Sequence, residues 1–384
     1  MSTIRVMHMI DTLHGGGAET SVVETIPMLA SRDIETSIVT LFDDDGALDQ
    51  RLSELGVNRI KLARHGPRAQ IPELRHLVRS QRPDVIHTSL VNANFLGRIA
   101  TWNMPTPVVT SWVSCDYGPE HRATSPYGSL GVRSAHLADL LTARSTDHFH
   151  AISEHVARVM SRRLRIPGKR IHVVYRGRDS ARLGTFTRDR RLTVRASLSI
   201  ADDVPVILSA ARLDREKGVD TTFAAFRLLS ERIPNAVLLV AGRPGNVSPD
   251  AEAIVRKTPG IRLLGHRTDV PDLMCAADVL AFPSRREGLG GTLLEAMALR
   301  LAIVASNVGA IPEAIGDVGW PLVPPGNAPA LADGLASVLL DNHANEGKRV
   351  AGERRFQTVF TADAAATGMA GLYRCAVNGG KGIR

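Results

Sequence analysis

Short apolar runs alternate with longer stretches of helical spacing along nearly the whole chain. In the first half the runs are IRVMHMI (4–10), TSIVTLF (36–42), DVIHT (84–88), PVVTSW (107–112), HFHAI (148–152) and IHVVY (171–175). In the second half they are VPVILSAA (204–211), AVLLVA (236–241), IRLLG (261–265), DVLAF (278–282) and LAIVAS (301–306). Several are continuously apolar rather than alternating, as parallel strands covered on both faces require. Between them, stretches such as 18–31 and 219–232 repeat apolar residues at helical spacing. This alternation predicts βαβ units and an α/β fold of two facing Rossmann-like domains with a cleft between them, where the C-terminal ends of both sets of strands bind ligands. The polar, basic span 180–203 breaks the rhythm and reads as the interdomain connection. It separates an N-terminal domain over 1–180 from a C-terminal domain over 181–360. The Ala-rich helical pattern in 361–384 is expected to pack back on the first.

Composition narrows the picture. A chain of 384 residues fits two domains. Hydrophobic residues at 44% and charged residues at 22% leave no room for disorder as a main feature. A formal charge of +8 directs attention to anionic partners. Nucleic acid fits poorly, because aromatics are only 4% and no recognition motif is present. Cys115, Cys275 and Cys375 are scattered and form no disulfide framework, which fits a reducing compartment. The first apolar run is broken at Asp11, so it does not read as a signal peptide, and no run is long enough to span a membrane. A soluble, cytoplasmic protein is expected.

Three motifs sit at strand ends. GGGAET (15–20) follows the first strand, where glycines let backbone approach a ligand and a helix start offers free N–H groups to an anion. It is not a G-x-G-x-x-G fingerprint, since Ala18 and Thr20 occupy its later positions. A tight turn with no ligand explains it as well. In SAARLDREKGVD (209–220), Arg212 and Lys217 flank an acidic turn: the first suits two phosphate oxygens at once, the second is a mobile point charge. A solvated loop neutralised by Asp214 and Glu216 is the plainer alternative. In EGLGGTLLEAMA (287–298) a helix begins near Gly290 to Thr292. Its first N–H groups lack partners within the helix. Glu295 lies one turn in, on the face of Gly291. A carboxylate beside a bound phosphate needs neutral hydroxyls to accept from, and a ribose diol offers two. Glu287, before the turn, suits a hydroxyl of a second sugar. Ribose, diphosphate and sugar in a row describe a nucleotide sugar. The alternative is that Glu295 complements the helix dipole and Glu287 is a surface charge.

In these motifs the chain resembles family-4 retaining glycosyltransferases of the GT-B fold. REGLGGTLLEAMA looks like their E-x-seven-E signature. GGGAE, FHAISEHV, VVYRGRD, ARLDREKGVD, LLGHRTDVPDLMCAADVLAFPS and SNVGAIPEAI follow in the family's order over nearly the whole chain. The resemblance implies that Arg212 and Lys217 bind the donor diphosphate and that Glu295 holds the ribose. It places Glu287 on the donor sugar, with Leu289, Gly290, Gly291 and Thr292 beside it. It brings Gly16 and Gly17 to the phosphates, and puts Leu264 and Arg267 where the base is held. It implies transfer of a sugar from a UDP- or GDP-sugar, as co-substrate, to an acceptor hydroxyl on a glycan, lipid-linked or small molecule, with retention of configuration. A nucleotide-sugar 2-epimerase or a non-enzymatic sugar-binding protein are the alternatives on such a scaffold.

Three departures stand out. Trp112, in VVTSWVS, occupies the place of a histidine that supports the reacting sugar in many members; Arg300 replaces a glycine, and Ala310 replaces another. The acceptor region, SCDYGPEHRATSPYGSLG (114–131), is irregular. His148 and His150 share a strand face, but with no third ligand in sequence they read as core or hydrogen-bonding residues. DDD (43–45) lacks a following glycine loop, so no metal and no cofactor are expected. Eight Lys or Arg and no acidic residue lie between His155 and Arg178. The start of this segment, HVARVMSRRLRI, reads as a basic amphipathic helix. It either covers the sheet or rests weakly on anionic lipid at the inner face of the cell membrane through Arg158, Arg162, Arg163 and Arg165.

Overall fold

The computed structural model describes residues 3–42, 48–63, 66–118, 128–341 and 345–379. The acidic run 43–45 and the central part of 114–131 lie outside these. Two compact units result: Met1–Asp179 with Val359–Arg384, and Ser180–Thr358.

In the first unit, seven strands pair in parallel: β1 (Ile4–Ile10), β2 (Ile34–Thr40), β3 (Arg59–Lys61), β4 (Val85–Ser89), β5 (Val108–Trp112), β6 (His148–Ala151) and β7 (Ile171–Val173). Their order is β3-β2-β1-β4-β5-β6-β7, so the winding reverses beside β1. Continuous apolar runs make this possible. Val6, Met7, Met9 and Ile10 are all buried, which a strand covered by helices on both faces requires. The Ala362–Gly379 helix covers one face, packing Ala366, Met369, Ala370 and Tyr373 against Val6, Val85 and Val109. The outgoing and returning chains lie side by side: Arg178 N–H donates to the Phe360 carbonyl at 2.9 Å, and Ala362 N–H to the Arg178 carbonyl at 2.8 Å.

A polar chain runs through this core. His150 Nε2 donates to the Val174 carbonyl at 2.8 Å, which leaves its Nδ1 to accept from Ser111 Oγ at 2.8 Å. Ser111 Oγ then accepts from His87 Nε2 at 2.7 Å, and His87 Nδ1 accepts from the Tyr373 hydroxyl at 2.7 Å. One acceptor-only carbonyl thus orients every proton in the series, with both imidazoles neutral. His8 stacks on His87 with ring centroids 4.2 Å apart and bonds Ser89 at 2.9 Å. Burial lowers all three histidines, His8 to about 3 and His150 to about 4.

The second unit repeats the winding. Its strands are β8 (Val206–Ala210), β9 (Val237–Ala241), β10 (Ile261–Gly265), β11 (Val279–Phe282), β12 (Ala302–Ser306) and β13 (Leu322–Val323). They pair in parallel in the order β10-β9-β8-β11-β12-β13. Two Rossmann-like α/β units of this kind make up the GT-B fold.

The structure corrects the sequence reading at several points. The span 180–203 is not a plain connection. It holds helices Ser180–Leu183 and Arg188–Ser197, the second started by Thr187, whose side chain accepts from Arg190 N–H. Arg195 is buried and donates to the carbonyls of Ala276, Ala201, Asp202 and Val204 and to Asp278. Arginines that look solvated in sequence are here structural staples. The short edge strands β3 and β13 escaped notice, having too few residues to show a period. The apolar face of the basic helix, Glu154–Leu164, is spent on the core through Val156, Met160 and Leu164, leaving Arg158 and Arg162 exposed.

Candidate active site

Three strand-end loops of the second unit converge. After β8 the chain makes one tight helical turn, Arg215–Lys217, capped by Asp214, which accepts from Lys217 N–H at 2.9 Å. Gly218 follows with φ +71, and a Cβ there would collide with the Pro283 carbonyl after β11. Glycine therefore lets the two loops touch. Ion pairs then zip them together. Arg285 grips Asp220 through two bonds at 2.7 and 2.9 Å, Arg286 pairs with Glu216, and Lys217 Nζ lies 2.7 Å from Glu287 Oε2. Burial raises the Asp220 carboxyl, but the Arg285 bonds and charge outweigh this and leave it below its ordinary value. From β12, Gly309 packs against the Glu287 backbone, and Ala310 N–H donates to the Glu287 carbonyl at 3.3 Å.

Beyond Glu287, Leu289 is buried and Gly290 turns at φ +93. The Gly291–Ala298 helix starts there with no side-chain cap on its first N–H groups. Thr292 is half-buried at its first turn. Glu295, 13% exposed, stands one turn in. Arg212 points outward, 58% exposed, held by Asp214 and by Glu216 at 3.7 Å. The structure thus gathers Arg212, Lys217, Glu287, Leu289, Gly290, Gly291, Thr292 and Glu295 on one unit, with cations, a helix N-terminus and two carboxylates together. An anion flanked by hydroxyl groups is the ligand chemistry such a set accommodates.

The remaining candidates stand on other elements. Leu264 is on β10, at the sheet edge, and Arg267 follows it, forked onto Asp269 with one bond of 2.7 Å. Gly16 and Gly17 belong to the first unit, at the start of the Gly17–Ala30 helix. The Glu19 carboxylate folds back over Gly16 there, so that loop already carries an anion of its own. Trp112 is buried and stacked on Phe149, centroids 4.5 Å apart, with no partner for its indole N–H. His148 and His150 do not act as a pair. His150 joins the polar chain, while His148 Nδ1 lies 3.0 Å from His172 Nε2. Ligand atoms of His148, His172 and Cys375 fall within 4.8 Å of one another, in the first unit.

Two features eluded sequence reasoning. Arg182, from the helix after the connection, comes within 3.7 Å of Glu295. Nothing in its spacing links it to the glutamate motif. Gly242 and Gly245, after β9, make room for the carbonyls of Ala211 and Leu213, which fixes the loop carrying Arg212. Their signal was visible as GRPG at a strand end.

Comparison with known proteins bears on family and fold. The model described as Glycosyltransferase Family 4 matches residues 15–182, and that described as Glycosyl transferases group 1 matches 204–341. The chain belongs to the family-4 glycosyltransferases. Alpha-D-kanosaminyltransferase of Streptomyces kanamyceticus is 27% identical over 70% of each chain. D-inositol 3-phosphate glycosyltransferase of Xylanimonas cellulosilytica is 35% identical over 53% of this chain and 51% of its own. Anabaena HepE, solved in complex with UDP, superposes with a TM-score of 0.81 at 19% identity, covering 97% of this chain and all (100%) of that one. This glycosyltransferase has, among its described residues, no helix long and apolar enough to cross a membrane.

Proposed function

We propose that this glycosyltransferase moves a sugar from a nucleoside-diphosphate sugar to an acceptor hydroxyl, with retention of configuration and without a metal. The observation that carries the reading is the 2.7 Å contact of Lys217 with Glu287 beside the uncapped start of the Gly291–Ala298 helix. Departure of a nucleoside diphosphate builds negative charge on the phosphate oxygens. Arg212, Lys217 and the helix N–H groups are fixed donors for that charge, the kind of preorganised electrostatics that contributes most to many enzymes. Glu295 accepts from the ribose hydroxyls, and Glu287 from the sugar. Gly16 and Gly17 supply backbone to the phosphates, and Leu264 and Arg267 flank the base. The second unit is thus donor-binding and the first acceptor-binding, in a cytoplasmic enzyme. The UDP bound by Anabaena HepE favours a uridine nucleotide.

Thermal shift with UDP- and GDP-sugars tests the donor, because a ligand that binds only the folded state raises the melting temperature. A rise with one series is expected. No rise with either overturns the reading. Incubation with donor alone separates transfer from epimerisation: interconversion of the donor sugar without acceptor would point to an isomerase. Activity is expected to persist in EDTA, since fixed cations perform the charge neutralisation. Loss in EDTA with recovery in magnesium or manganese would overturn metal independence.

A further inference from the structure

The Gly128–Thr142 helix of the first unit wears its leucines on the outside. Its inward side carries Val132 and Asp139, both buried, the latter paired with Arg98 and bonded by the Tyr117 hydroxyl at 2.8 Å. Its outward side carries Leu130, Leu137 and Leu141, which are 78%, 59% and 52% exposed. At about 100° per residue these three fall within roughly 40° of one another, in a stripe about 16 Å long. Arg133, also exposed, borders it. One turn beyond Leu141, Arg144 and Arg170 line a recess of about 320 Å³ together with Trp102, itself 48% exposed.

The adjoining chain is rich in cations, with Glu154 also exposed at the start of the next helix. His136 Nε2 meets the Arg163 carbonyl at 2.9 Å, which fastens this helix to the basic Glu154–Leu164 helix with its outward Arg158 and Arg162. From 128 to 170 there are eight Lys or Arg against three acidic residues: Asp139, Asp147 and Glu154. Asp139 is buried in its ion pair, and Asp147 accepts from Val108 N–H at 2.8 Å. Three leucines held in water along one helix face mark an interaction surface. Cations around it, an exposed tryptophan at its end, and a convex helix rather than a groove match the chemistry of an anionic bilayer surface.

We infer that the Gly128–Thr142 helix is the face by which the enzyme lies on an anionic membrane. Leu130, Leu137 and Leu141 enter the boundary between headgroups and acyl chains, while Arg133, Arg144, Arg158 and Arg162 meet lipid phosphates. The acceptor is then carried by, or made at, that surface. The segment first expected to do this, Glu154–Leu164, contributes charge alone, because its apolar residues are in the core.

Co-sedimentation of the full chain with vesicles of phosphatidylcholine, with and without phosphatidylglycerol, tests the inference without donor or acceptor, and so independently of the proposed reaction. Binding to the anionic vesicles is expected at low salt, with release as salt shortens the screening length. The triple variant Leu130→Ser, Leu137→Ser, Leu141→Ser should bind at least tenfold less while keeping the wild-type circular dichroism and melting temperature. Arg144→Gln with Arg158→Gln and Arg162→Gln should lose the preference for anionic lipid. Equal recovery with neutral and anionic vesicles, or unchanged binding of the folded triple variant, overturns it. So does a wild-type dimer in sedimentation equilibrium that the triple variant dissolves, which would assign the stripe to a second copy of the chain.

Discussion

Lys217 and Glu287 illustrate how a site residue is held before its ligand arrives. Lys217 carries its charge from a tight turn whose cap, Asp214, accepts its backbone N–H, and its ammonium rests on Glu287. The side chain is therefore oriented rather than swinging in solvent. If it faces the leaving diphosphate, Lys217→Ala should lower kcat by the equivalent of about 2–4 kcal/mol, with a similar loss for Arg212→Ala. Single-turnover rates on folded variants measure this, and wild-type rates in the double variant would refute the role. Glu295 is a different case, because Arg182 lies beside it. A carboxylate that accepts from ribose hydroxyls gains a charge-assisted bond, so Glu295→Gln should weaken donor binding by about 2 kcal/mol, roughly thirtyfold. A 2′,3′-dideoxy donor should bind wild type and variant alike. A variant that still discriminates strongly between normal and dideoxy donors would show that the ribose is held elsewhere.

At the scale of elements, the βα units were legible because buried parallel strands write continuous apolar runs. IRLLG matched β10 residue for residue, while β2 begins two residues before the run that announced it. The glutamate motif was legible too, since glycines, carboxylates and a helix start stand close in sequence. What could not be read were contacts made across sequence distance by polar groups. Arg195 as a staple of carbonyls, Arg182 against Glu295, and the ion pairs joining Asp220 and Glu216 to Arg285 and Arg286 look like surface charges in the sequence. The C-terminal helix shows the same limit. Its alanines announced packing, but not the Tyr373 hydroxyl that ends the polar chain. Tyr373→Phe keeps the ring and strands His87 Nδ1 without a donor, so it should cost about 1–3 kcal/mol in chemical denaturation. A cost near zero would mean that the hydroxyl holds nothing in place.

For the whole molecule, that polar chain makes stability depend on pH. His8, His87 and His150 are buried and neutral, with values pushed below the ordinary 6.5 chiefly by loss of water and further by one another or by nearby cations. The Val174 carbonyl raises His150 somewhat without reversing this. The buried His148 and the half-buried His172 are displaced in the same direction. The native state thus binds fewer protons than the unfolded chain between about pH 6.5 and the lowered values. In that window stability rises with pH and falls as acid is added, at a limiting slope of about 1.4 kcal/mol per pH unit for each group. Asp220 and Asp269 add nothing there, because their carboxyls lie below the ordinary range and lose their contribution only in stronger acid. Denaturant titrations between pH 8 and 5 should show a plateau at the alkaline end and a progressive loss of stability once the pH falls to about 6.5 and below. His150→Gln retains a donor for the Val174 carbonyl but cannot titrate. It should be less stable at pH 8 and show a shallower slope below 6.5. A wild-type stability that stays flat from pH 8 to 5 would mean that these imidazoles are not held neutral against the unfolded chain, and the proton ordering along the chain from Tyr373 to Val174 would have to be abandoned.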